Sequence, residues 1–158
     1  MTASLSDTAS CGARRARWMS VLASAPTAAL ARRVPRPANG HVWLRRPETG
    51  LVMVRGRAGG TGAQFNLGEM AVTRCALRLP DGTVGHAYVA GRDAAHAERA
   101  ALVDALLQQA AARGELEHAW NEWIAPLEAE RAEGAAARAG EAAATRVEFF
   151  TVVRGENA

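Results

Sequence analysis

Two clusters of residues have the types and spacing to bind or act on an anion. In the first, Arg55-Gly56-Arg57-Ala58-Gly59-Gly60-Thr61-Gly62, the arginines alternate with a small residue. An extended backbone therefore puts both guanidinium groups on one side of a strand. The glycine run that follows exposes backbone amides, and guanidinium forks with free amides make a cradle for phosphate or carboxylate oxygens. Arg55, Arg57, Gly59, Gly60, Thr61 and Gly62 are thus anion-binding candidates. The pattern is no Walker motif, since it has no lysine, and no dinucleotide fingerprint, since no helix follows at once. A flexible connection without chemistry is the competing reading of the same residues.

The second cluster is Gly91-Arg92-Asp93, with His96 and Glu98 just beyond it, at a strand-to-helix junction. Free amides and the helix dipole favour negative charge there, which makes Arg92 a further anion-binding candidate, and the two clusters are expected to lie side by side in one positively charged concavity. His96 is the candidate for proton transfer, and Asp104 lies two helical turns on, within about 80° of the same face. The plainer alternative makes Asp93 an N-cap and leaves His96 exposed or hydrogen-bonded at a subunit contact. The pairs Thr73-Arg74 and Thr145-Arg146, with Arg154, either bring more arginines to one edge or are solvated strand ends.

Composition limits the chemistry further. All 19 basic residues are arginine, which excludes a phosphate-loop lysine and a Schiff base. A net charge of +3 favours anionic partners only slightly, because the arginines are interspersed with 16 acids. One tyrosine and three phenylalanines offer few stacking platforms, which argues against single-stranded nucleic acid. Cys11 and Cys75 lack CxxC spacing, and His41, His86 and His118 fit no metal-ligand pattern. No metal and a reducing, cytoplasmic compartment are expected. Arg14 to Ala31 imitates a secretory leader, but serines and Pro26 interrupt its apolar run and Arg32-Arg33 follow at once, so neither export nor a membrane span is expected.

The elements that must position these residues follow from periodicity. At 158 residues one domain is expected, with a disordered tail over 1–12 and the domain over 13–158. A helix from about Arg14 to Ser24 and a short second one to Arg33 form a hairpin. From His41 the period becomes two: a strand through Arg46, a turn at Glu48-Thr49-Gly50, and a second strand from Leu51. A third strand runs from Met70 to Leu79 and, after Pro80-Asp81-Gly82, a fourth to Ala90. Asp93 caps a helix from Ala94 to Arg113 that Gly114 stops, and a further helical region over 115–144 bends near Pro126. Residues 146–155 read as a last strand, in which Phe149 and Phe150 face opposite ways, so this strand and the Asp93 helix are expected to meet partners. The fold class is α+β, an antiparallel sheet of four to five strands with an N-terminal helical hairpin and two C-terminal helical segments. Alanine is abundant and buries little area, so the core is expected to rest on Trp18, Leu22, Val42, Leu44, Val52, Val54, Leu77, Leu79, Leu102, Leu106, Phe149 and Val152.

Several stretches together resemble one family. They are Arg17 to Ala23, Glu48 to Val52, the Gly59 to Gly62 loop, Gly91-Arg92-Asp93 with His96-Ala97-Glu98, Ile124 to Leu127, and Arg146 to Gly155. The chain resembles the G subunits of the bacterial carbon-phosphorus lyase core complex, the PhnG family of phosphonate metabolism. The segment before Pro37 and the alanine-rich helix depart from the family pattern. The resemblance implies a complex with H, I and J subunits, two copies of each. It also implies transfer of an alkylphosphonate onto ribose C1 of MgATP, with adenine released and ribose 1-methylphosphonate 5-triphosphate formed. In that family the I subunit carries the nucleosidase activity, and the J subunit later cleaves the carbon-phosphorus bond by radical chemistry at an iron-sulfur cluster. The residues supply no complete catalytic constellation, which suits a supporting subunit of a transferase that is inactive alone, binding no cofactor itself, with MgATP as substrate of the complex. A stand-alone nucleotide or polyphosphate-binding module is the alternative.

Overall fold

The computed structural model describes residues 5–34, 40–58 and 61–145. Helices α1 (Leu5–Ser24) and α2 (Thr27–Arg33) lead into strands β1 (Val42–Arg57), β2 (Gln64–Arg78) and β3 (Val84–Ala90). Helix α3 (Ala94–Arg113), the short α4 (Leu116–Ala119), a π-helical turn at Trp120–Ile124 and α5 (Ala125–Ala144) complete the described chain. The sheet is antiparallel in the order β1-β2-β3.

The α+β class is as expected, but the sheet has three strands among the described residues. Glu48-Thr49-Gly50 does not turn. β1 runs straight through it, with Glu48 opposite Arg74, Thr49 opposite Thr73 and Gly50 opposite Val72. Register shifts near Arg45 and Glu48 take up the irregularity that Pro47 imposes. The last expected strand, with Phe149, Phe150 and Val152, lies outside the described residues.

α1 starts at Leu5 rather than near Arg14, so the described part of the expected tail is helical. Once Trp18 and Leu22 are packed, each added residue gains a hydrogen bond without a new nucleus. The α3 boundaries fall as expected. Asp93 accepts from the His96 N–H at 2.8 Å, and Gly114 takes the left-handed conformation at φ 76°. The bend expected near Pro126 takes the form of the π-helical turn just before it, where the Ala125 N–H reaches back to the Trp120 carbonyl.

The core lies between one sheet face and the helices. Cys75, Leu77, Ala87 and Val89 meet α3, while Trp18, Leu22, Leu30, Ile124 and Leu127 close it from the other helices. Alanine does more here than its small area suggests. Ala97, Ala100, Ala101 and Ala105 are all buried, and they let α3 lie close on the sheet. The approach is tightest at Gly85, where a Cβ would stand 1.9 Å from the Ala101 carbonyl oxygen. Because α3 is used so fully inside the chain, little of it remains for a partner. Of the expected core residues, Trp18, Leu22, Leu77, Leu79 and Leu102 are buried, whereas Val42 and Leu44 are exposed and Val52, Val54 and Leu106 half-buried. Val42 and Leu44 sit on the edge strand, whose outer side has no described neighbour.

Candidate functional site

Beyond the row in which Gly50, Val72 and Ala90 lie side by side, β3 ends and β1 and β2 continue alone. They form a two-stranded arm over 50–57 and 64–72. At about 3.3 Å per residue, Arg57 lies roughly 23 Å beyond that row. Leu51, Met53, Arg55 and Arg57 alternate onto one face of the arm, and Val52, Val54 and Gly56 onto the other. Leu67 and Phe65 both fold over Gly56, at 3.7 and 3.8 Å from where its Cβ would be. Leu51, Met53, Phe65, Leu67 and Met70 are all exposed, Leu67 to 66%.

Arg55 and Arg57 are exposed and share a face, as the alternation requires. At the tip the Arg57 guanidinium donates to the Gly62 carbonyl at 3.1 Å, and the Gly62 N–H donates to the Ala58 carbonyl at 3.1 Å. That amide is therefore spent within the turn and does not point at a ligand. Thr61 is exposed beside it, while Gly59 and Gly60 lie outside the described residues.

The second cluster starts from Ala90, at the far end of this arm. Arg92 is exposed, but at the helix N-terminus the His96 and Ala97 amides are already taken by Asp93. Asp93 occupies the position, accepting from His96 N–H at 2.8 Å and from the Thr27 hydroxyl at 2.7 Å. These two hydrogen bonds, the His96 amide first, hold its carboxyl below the usual carboxylate range. His96 itself is buried, and its Nε2 lies 2.7 Å from the Leu22 carbonyl. A carbonyl only accepts, so Nε2 carries a hydrogen and ties α3 to α1. The geometry is that of a structural histidine. Arg57 and His96 do not meet in one concavity: they stand at opposite ends of an extended ribbon.

Asp104 takes a part that its spacing from His96 did not reveal. It is 1% exposed, yet it accepts from Arg15 Nε and Nη2 at 3.1 and 2.8 Å, Trp18 Nε1 at 2.9 Å, His86 N–H at 2.9 Å and Gln108 Nε2 at 3.2 Å. The carboxylate knots α1, β3 and α3 together. Except for Gln108, the donors come from α1 and β3, far from Asp104 in the chain, so no local pattern marks it. On the open sheet face, Arg74 and Arg45 both donate to Glu48, at 2.8 and 2.6 Å, and hold its carboxyl below the usual range. Arg74 thus has a structural partner, while Arg146 and Arg154 lie outside the described residues. The described residues contain no group of histidine, cysteine and carboxylate side chains placed to hold a metal, and no described helix is long and apolar enough to cross a membrane.

The arm, an apolar ribbon with an arginine-bearing tip, is left unexplained by the packing of the described residues. Comparison with known proteins matches residues 13–155 to the family described as "Phosphonate metabolism protein PhnG". A Rhizobium meliloti (strain 1021) protein, "Alpha-D-ribose 1-methylphosphonate 5-triphosphate synthase subunit PhnG", is 52% identical over 114 residues, which span 72% of this chain and 70% of the relative.

Proposed function

Since the chain belongs to the PhnG family of phosphonate metabolism proteins, we propose that it is a non-autonomous subunit of a ribose 1-methylphosphonate 5-triphosphate synthase. The complex transfers an alkylphosphonate onto ribose C1 of MgATP and releases adenine, in the cytoplasm, together with H, I and J subunits in two copies each. The observation that carries this reading is the arm. An isolated two-stranded ribbon is marginal in water, and five large apolar side chains stand exposed along it with no cover from the described residues, which suits a docking surface for another subunit.

Within the assembly, Arg55 and Arg57 supply the anion-binding pair, with Thr61 beside them, at a seam completed by another subunit. Both guanidinium groups project from one face near the tip, the arrangement that suits triphosphate or phosphonate oxygens. Arg92 is a lesser candidate, since the carboxylate of Asp93 sits next to it. His96 stays out of the chemistry, its Nε2 being committed to Leu22.

Adenine release from MgATP and methylphosphonate is the test. The purified chain should release none, and activity should appear only when the other subunits are added. Turnover by the single chain would refute the reading, and tight MgATP binding without partners would favour a stand-alone nucleotide-binding module. In the reconstituted complex, Arg57→Ala should raise the MgATP concentration needed for half-maximal rate and leave assembly intact. Unchanged kinetics would make the tip arginines structural.

A further inference from the structure

The two edges of the sheet are treated differently. On β3 the edge is closed by α3: the His86 N–H donates to Asp104 at 2.9 Å, and Gln108 Nε2 donates to the Val84 carbonyl at 2.8 Å. On β1, at the opposite edge, no described element pairs with the strand. Its first half is blunted, with Arg45, Arg46 and Pro47 and two register shifts breaking the regular spacing of its outer groups. From Gly50 to Val54 the pairing with β2 is regular, from Val72 to Gly68, and these five β1 residues carry neither charge nor proline, although Glu69 of β2 lies opposite Met53. Every second residue of such a stretch turns both its N–H and its carbonyl outward. Leu51 and Met53 line one face of this window and Val52 and Val54 the other.

We infer that the outer edge of β1 over Gly50–Val54 takes an extended strand from a different subunit of the synthase, adding a fourth strand to the sheet. This deepens the proposed function and rests on it. The window is uncharged and apolar on both faces, so the added strand is short, uncharged and apolar on both of its faces too. A second copy of this chain suits the edge poorly. Two-fold symmetric pairing centred on Val52 would set Arg57 of each copy opposite Pro47, which has no N–H to give, so the ladder would break at both ends of the window.

Hydrogen exchange read by mass spectrometry tests the inference, comparing the chain alone with the reconstituted complex. Outward amides of residues 50–54 should exchange at least about tenfold more slowly in the complex. Val42 to Arg46, on the blunted half, should change less. Leu51→Lys with Met53→Lys, checked for an unchanged unfolding midpoint of the chain alone, should weaken assembly at least about tenfold. Arg46→Ala should not. Assembly of a full complex with no added protection over 50–54 would overturn the strand addition and leave the proposed function standing. Failure of the chain to assemble with any other subunit would overturn both. Protection gained in the chain alone through self-association, seen by light scattering, would mean that a second copy holds the edge.

Discussion

Asp104 gives the sharpest test of the packing argument. Replacing it with alanine removes one acceptor group from four donor residues at once. Their losses differ. Trp18 is 1% exposed, so its indole N–H has no water to turn to, and the His86 N–H faces the same vacated space. Each orphaned donor costs about 1–3 kcal/mol. Gln108 keeps its bond to the Val84 carbonyl and loses little. The Arg15 side chain is 34% exposed, so water takes over much of its half of the ion pair. The sum, about 3–5 kcal/mol, agrees with the usual cost of breaking a buried pair from one side. For a chain of this size it corresponds to a fall in midpoint of roughly 6–20 °C. Urea and thermal unfolding of the purified chain measure it directly. Arg15→Ala leaves that buried carboxylate without its counter-charge, held by its neutral donors alone, so it too should destabilise the fold. A loss below about 1 kcal/mol for Asp104→Ala would refute the reasoning.

Three further outcomes follow from the same geometry. Gly85→Ala should cost about 3 kcal/mol or more in urea unfolding, because its Cβ would overlap the Ala101 carbonyl oxygen and α3 would have to lift off the sheet; a neutral variant would mean that the helix is free to shift. Burial, with the Glu98 carboxylate adding to it, pushes the Cys75 thiol up to about 11, so at pH 8 Cys75 should alkylate about a hundredfold more slowly in the native chain than in urea. Peptide-resolved mass spectrometry reads this, and equal rates would contradict the burial. Asp93 is held below the usual carboxylate range by the His96 amide and the Thr27 hydroxyl, so its charged form adds stability that is full above its unfolded value, near pH 4, and is lost as pH falls through its folded value. Asp93→Asn keeps a capping oxygen but not the charge, so its deficit at neutral pH should vanish in acid; a deficit that persists in strong acid would assign the effect to shape alone.

Sequence by itself determined the local punctuation and the family. Asp93 and Gly114 bound α3 where capping chemistry puts them, and Pro80-Asp81-Gly82 makes the turn between β2 and β3, with Asp81 accepting from the Thr83 N–H and hydroxyl. These signals act through neighbours within a few residues, so they are legible without a fold. Glu48-Thr49-Gly50 carries an equally good turn signal and does not turn, because pairing with β2 supplies ladder bonds on either side of it and Thr49 meets the Thr73 hydroxyl at 3.2 Å. That one difference unfolds two expected strands into a single long one. It carries Arg55 and Arg57 out along an arm, away from the helix whose N-terminus they were expected to join. The face shared by His96 and Asp104 was readable from helical period, but their partners, Leu22 and Arg15, lie 74 and 89 residues away in the chain. Only the tertiary structure decided that both are knots of the fold and that an apolar ribbon stands exposed. Hydrogen-bond partners and burial are set by which distant segments pack together, and no local pattern of residue types contains that information.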